Sequence, residues 1–282
     1  MDSSKLLGIT TFIYLFSSVI YLAIFIFRMK KLGLLATAVT IIGLLVHTAG
    51  IGMRWLESYQ MGIGHAPLSN MYESLVFFSW SIVLLYIIIE FIYKNKVIGA
   101  FAMPFAFGSM AYASLSSEFS TRISPLVPAL QSNWLIAHVF TCFIGYAAFA
   151  VACGTGIMYL VKLRDKGDSP NSLLATLPSL KVIDDITHKI ILFGFIWLSA
   201  GIISGAVWAN SAWGTYWSWD PKETWSLITW FIYASALHAR FTRGWGGKRI
   251  AWIAVLGFLA VIFTYYGVNF LLSGLHSYGS PS

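Results

Sequence analysis

Charged side chains are scarce in this sequence: Asp, Glu, Lys and Arg together make up 10% of its 282 residues, where a soluble domain carries roughly 25%. A water-soluble globule is thereby excluded. Cysteine is scarcer still. Cys142 and Cys153 lie eleven residues apart on one apolar run, roughly 16 Å along a helix and too far to bridge. No CxxC pair exists, which excludes a thiol-disulfide carrier, and both cysteines read as packing residues. HExxH, an EF-hand loop, a P-loop and G-x-S-x-G are all missing, so metalloprotease, calcium, NTPase and serine-hydrolase readings lack support. Neither an internal repeat nor a low-complexity tract is evident.

What is abundant is apolar: 58% of the residues are hydrophobic and the mean hydropathy is +0.75. Eight apolar runs, at about 6–27, 32–53, 72–93, 97–115, 134–161, 190–209, 221–238 and 251–272, are each near the roughly 20 residues a membrane helix needs. They are too continuous for alternating barrel strands. The pattern predicts an all-α polytopic membrane protein of about eight transmembrane helices, a single integral domain over 1–282. The first five spans occupy 1–161, a polar linker with Pro170 and Pro178 occupies 162–189, and the last three spans occupy 190–282. The first run does not read as a cleaved signal peptide, because its basic cluster (Arg28, Lys30, Lys31) follows the apolar stretch.

Lys and Arg concentrate on alternate connections, as they do on the cytoplasmic side of membrane proteins. Fourteen of the 18 fall after the odd-numbered spans. The exceptions are Lys5, Arg54, Arg122 and Lys222. With the acids included, the inner side carries +9 and the outer side −2. This predicts both termini on the outer (periplasmic, extracellular or lumenal) side and a cytoplasmic linker. The net charge of +7 is therefore a topology signal. No nucleic acid is expected as a partner, because no soluble domain carries a basic patch; membrane lipid is.

Six of the 12 tryptophans fall within 208–230. There Asp220 reads as a helix N-cap, Pro221 as its first position and Glu223 as the third residue of a capping box. Trp208 is expected to end the sixth span, with 210–219 as an outer loop or short surface helix. Single tryptophans at a membrane surface form an aromatic belt, but a belt would spread them over all the helix ends. A concentrated set suggests a shelf for a large planar apolar ligand. Lys222, at the start of the seventh span, offers a positive end for any carboxylates it carries.

Of the six histidines, His138 and His276 bracket this segment in sequence and share its side, so that one imidazole could meet each face of a porphyrin. His47 and His65 read as structural; His188 and His238 lie at the inner ends of the sixth and seventh spans. Glu73, in a second capping box opened by Asn70, and Glu90 mark the ends of the third span. So few carboxylates within the spans argue against an ion-coupled pump.

Taken together, five stretches resemble a known family. WGTYWSWDPKETWSLITW (213–230) is similar to the tryptophan-rich WWD signature of haem-handling membrane proteins. APLSNMYESLVFFSW (66–80), LQSNWLIAH (130–138), YASALHAR (233–240) and YGVNFLLSGLHSY (266–278) resemble further signatures of its CcsA/ResC branch, part of the cytochrome c synthesis route called System II. The WWD stretch alone would equally suit the CcmC and CcmF relatives of System I.

The resemblance implies that the protein works with a CcsB/ResB-type membrane partner to move haem b across the membrane. It presents the haem for thioether attachment to the CxxCH of an apocytochrome c, a chemistry expected to need ferrous iron. It implies an outer haem on the WWD segment (Trp208, Trp213, Tyr216, Trp217, Trp219, Asp220, Lys222 and Trp225), ligated axially by His138 and His276. It implies a second haem within the membrane at His238, whose other ligand comes from the partner; His188 is a rival for that role. No residue is read as catalytic, and haem lyase activity would belong to the complex. The implied location is the cytoplasmic membrane, or the thylakoid membrane in a plastid or cyanobacterium. Functions from other classes are a secondary transporter of an aromatic or amphipathic solute, which needs no iron ligand, and a purely structural subunit.

Overall fold

A computed structural model describes residues 2–117, 119–165 and 173–272. Among the described residues there is no strand. The helices are α1 (Ser3–Ile26), α2 (Gly33–Gln60), α3 (Met71–Tyr93), α4 (Gly99–Leu115), α5 (Asn133–Lys162), α6 (Leu180–Trp213), α7 (Pro221–Arg243) and α8 (Lys248–Ile262). A π-helical turn (Phe263–Gly267) joins α8 to a short α9 (Val268–Leu271). Among the described residues, seven segments are long and apolar enough to cross a membrane, α8 counting together with the turn and α9. The eighth helix, α7, has a comparable 23 residues but is interrupted by Lys222, Glu223, His238 and Arg240, which makes it too polar to join them.

Two boundaries differ from the sequence reading. Helix α6 runs for 34 residues, resuming at Leu180 inside the stretch expected to be linker and continuing past Trp208 to Trp213. The apolar run had marked only its middle, because Lys181, Asp184 and Asp185 occupy one end and Asn210 and Ser211 the other. Asn210 to Trp213 are therefore helical, and Gly214, with φ of 76°, caps the helix in the left-handed conformation that glycine adopts without strain.

The centre of the bundle is α5. Every residue from Cys142 to Gly156 is buried, as expected of a helix surrounded by others, and it packs against α3, α4, α6 and α8. Small residues make that possible, since lipid offers no hydrophobic drive for helix association and close backbone approach must supply the contact. At Gly154 a Cβ would stand 2.4 Å from the Phe101 carbonyl oxygen of α4.

Helices α1 and α2 form a hairpin laid against α3 and α4. It is fastened at one end by Glu90 of α3, whose carboxylate accepts hydrogen bonds from Tyr21 (2.6 Å), Thr37, Tyr86 and Lys96 (2.9 Å). At the other end Arg54 of α2 meets Glu73 of α3 at 2.8 Å, with side chains only 2% and 1% exposed. The basic residues Lys96, Lys162, Lys189 and Arg240 make their ion pairs at the Glu90 end, opposite the tryptophan segment.

Because a carbonyl oxygen on a helix cannot move aside, Gly154→Ala should cost about 1–3 kcal/mol by overpacking and lower the thermal unfolding midpoint in detergent. Gly108→Ala, where nothing lies within 4 Å of the added carbon, is the matched control and should leave the midpoint unchanged or raised.

Candidate functional site

A cavity of about 860 Å³ opens at the tryptophan end of the bundle. One wall is the start of α3 with the preceding loop; a second is the non-helical stretch 119–127; the others are the first turns of α5, the end of α6, the start of α7 and the π-helical turn with α9. Its floor reaches Cys142, Phe143 and Tyr146 in the middle of α5.

His138 lines this cavity from the second turn of α5. Its Nδ1 lies 2.8 Å from the Gly201 carbonyl oxygen of α6. A carbonyl only accepts, so Nδ1 carries the proton and Nε2 the lone pair. The ring lies nearly parallel to the Trp208 indole, 18° between planes and 5.8 Å between centroids. Space for it exists because residue 205 is glycine: a Cβ there would stand 2.5 Å from Nδ1. Metal-binding imidazoles are characteristically held this way, with the second nitrogen donating to a backbone carbonyl.

The tryptophans divide by role. Trp208 is buried, donates from Nε1 to the Ala129 carbonyl at 2.9 Å, and meets Trp213 edge-on at 4.9 Å; it forms wall behind His138. Trp217 lines the cavity with Tyr216, and its indole N–H is buried without a hydrogen-bond partner among the described residues. Trp219 is exposed, edge-on to Trp217 at 5.7 Å, and has a φ of 60°, a strained backbone for a bulky side chain. Trp225 packs on Phe263 of the π-helical turn at 4.2 Å. Of the residues singled out in the sequence, the cavity thus gathers His138, Trp208, Tyr216, Trp217 and Lys222, and not Trp213, Trp219, Asp220 or Trp225.

Asp220 and Glu223 form the capping box read from the sequence. Asp220 accepts from the Lys222 N–H at 2.9 Å, and Glu223 accepts from the N–H of Asp220 (3.1 Å) and of Ser218 (2.8 Å). This arrangement turns the chain into α7 and sets Lys222 on the cavity wall.

His238 is exposed on α7, sixteen residues and roughly 24 Å along the helix from Lys222, outside the cavity. His188 on α6 sits edge-on to Phe241 of α7, 5.6 Å between centroids. His276 lies outside the described residues. His47 is fully buried, with Nδ1 3.0 Å from the Tyr14 hydroxyl, in the α1–α2 hairpin and away from the cavity.

Arg54 was read in the sequence only as a unit of charge, yet it organises one side of the site. Besides Glu73, its guanidinium donates to the Thr121 carbonyl at 2.9 Å and the Arg122 carbonyl at 3.5 Å. His65 reaches the same stretch, with Nε2 3.0 Å from the Ser124 carbonyl. Two buried side chains thus hold the non-helical wall by its backbone. The available signal was an arginine at the end of one apolar run with an acid at the start of the next.

The family model described as cytochrome C assembly protein matches residues 68–276, a range that takes in every cavity wall and leaves out α1 and α2. The cytochrome c biogenesis protein CcsA of Guillardia theta is 41% identical over 288 residues, covering 95% of this chain and 94% of that one. Its namesake from Gloeobacter violaceus is 39% identical over 303 residues, covering 89% and 88%. Among solved structures, the cytochrome c heme lyase CcmF superposes with a TM-score of 0.71 over 97% of this chain and 48% of its own, at 17% identity. That likeness is one of fold, and this chain spans about half of the larger protein.

Removing one partner of a buried ion pair strands the other, at a cost of about 3–5 kcal/mol. Arg54→Met should therefore lower stability by that order and release the 119–127 wall. Limited proteolysis of the detergent-solubilised protein should then cut within that stretch well before it cuts the parent; an unchanged cleavage pattern would show the wall to be held by other contacts.

Proposed function

The chain belongs to the cytochrome c assembly protein family, and from that premise we propose that it carries haem b to the tryptophan-bearing face of the membrane and presents it there to an apocytochrome c. A role in cytochrome c maturation follows from the relatives at about 40% identity over most of their length, and the apolar helices make the protein a multi-pass membrane protein.

The observation that carries the reading is His138. An imidazole with its proton committed to the Gly201 carbonyl keeps Nε2 as the nitrogen that would ligate a haem iron. The cavity beside it, about 860 Å³, is within the roughly 300–1,000 Å³ of cofactor sites. Trp217 and Tyr216 supply flat surface and Lys222 a cation for a propionate. His276 is proposed as the ligand on the opposite haem face.

His238 is proposed to hold a second haem within the membrane, its exposed position leaving room for a histidine of a CcsB/ResB-type partner; His188, one helix away, is the alternative. Haem would pass from there to the cavity, and thioether bonds would form between its vinyl groups and the CxxCH of the apocytochrome. The clustering of Lys and Arg supports a cytoplasmic basic end and outer termini. The membrane is then the cytoplasmic one, or the thylakoid membrane, in keeping with cyanobacterial relatives.

Detergent-purified protein with its partner should show a Soret band. His138→Ala should remove the outer haem's share of it and leave the share of the haem at His238, with recovery on adding imidazole, which replaces the missing ligand. A protein purified colourless from haem-replete cells, yet still supporting cytochrome c maturation after His138→Ala, would overturn the assignment.

Among the tryptophans, Trp217→Ala should weaken haem retention several-fold, on the order of one lost stacking contact, whereas Trp213→Ala should change it less. His238→Ala should lower haem at both sites. A full outer complement in that variant would break the relay.

A further inference from the structure

The wall formed by 119–127 is not helical among the described residues, yet its backbone is fastened on both sides of one residue. Thr121 and Arg122 give their carbonyls to Arg54 (2.9 and 3.5 Å) and Ser124 gives its carbonyl to His65 (3.0 Å). The Arg122 N–H donates to Ser120 Oγ at 3.2 Å. The side chain so positioned lines the cavity and enters no ion pair with a described residue. Lys222 lines the same cavity from the start of α7, while the carboxylate of Glu223 is occupied with backbone N–H groups. Two cations therefore stand on separate walls of one cavity, Lys222 beside the Asp220 that caps its helix and Arg122 on the wall across from it.

We propose that Arg122 and Lys222 form a carboxylate clamp at this cavity, selecting an amphipathic planar ligand that carries two anionic groups. The inference rests on the haem reading above and adds to it the residue that reads the second propionate. Arginine suits the position because its planar fork binds a carboxylate through two parallel N–H donors, which an ammonium cannot do. A held backbone under an exposed guanidinium lowers the entropy lost on binding. In this arrangement Arg54 and His65 are positioning residues that act through the backbone of Arg122.

The test compares haem with haem dimethyl ester, which keeps the iron, ring and vinyl groups and lacks both negative charges. Each is titrated into the full-length protein in detergent and followed by Soret absorbance. The parent should prefer the diacid, and the preference should shrink as salt is raised. Arg122→Gln should weaken haem binding about tenfold, the range of one charge-assisted hydrogen bond, and leave the ester within about twofold of the parent. Arg122→Lys should recover part of the loss. Equal weakening of both porphyrins by Arg122→Gln, or no weakening of haem, overturns the clamp, as does a parent that binds acid and ester equally through His138. A parent that binds neither porphyrin overturns the haem reading itself.

Discussion

A carboxylate within a membrane bundle has no water to solvate it, so it must be paired where it stands. Helix α3 carries one near each end, and their partners determine what surrounds them. Glu90 draws in Tyr21 of α1, Thr37 of α2 and Lys96 ahead of α4. Glu73 draws in Arg54 of α2 and the Ser69 N–H and hydroxyl (2.8 and 2.7 Å). The α1–α2 hairpin, which precedes the range matched by the family model, is thus locked to α3 at two heights. Through Arg54 that lock continues into the 119–127 wall, so a feature of the hairpin shapes a cavity with which it shares no described lining residue.

On the far side of α3 the governing device is closeness rather than charge. Helix α5 reduces its side chains to Gly, Ala and Cys over much of its buried length, and α6 comes close enough for His138 to reach across to a backbone carbonyl. Polar and apolar devices converge at the cavity: ion pairing holds one wall, and small residues bring the imidazole to the opposite one.

Much of this architecture was legible in the sequence. The apolar runs located the helices because burial in lipid is averaged over about 20 residues and tolerates local error. The capping boxes at Asn70 and Asp220 were legible because they depend on residues three apart. The polar ends of α6 were not, since Lys181, Asp184 and Asp185 look the same to a hydropathy reading whether helical or coiled. The π-helical turn at Phe263–Gly267 leaves no compositional trace. Nor could a cluster of six tryptophans declare which ones line a cavity: Trp208 and Trp217, which do, and Trp225, which does not, are chemically equivalent and are separated only by the path of the chain. Arg54 went unread because its partners, at positions 73, 121 and 122, are brought to it by folding alone.

The Gly201 carbonyl opposite His138 also receives the Ser204 hydroxyl at 3.1 Å, so one oxygen serves two side chains as well as its own helix. The basicity of Nε2 depends on the strength of the bond at Nδ1, and that bond spans two helices. Imidazole donor strength is therefore tied to the spacing between α5 and α6. A small shift between them would change how strongly Nε2 can donate without any change in protonation, making that donor strength a mechanical property of the bundle.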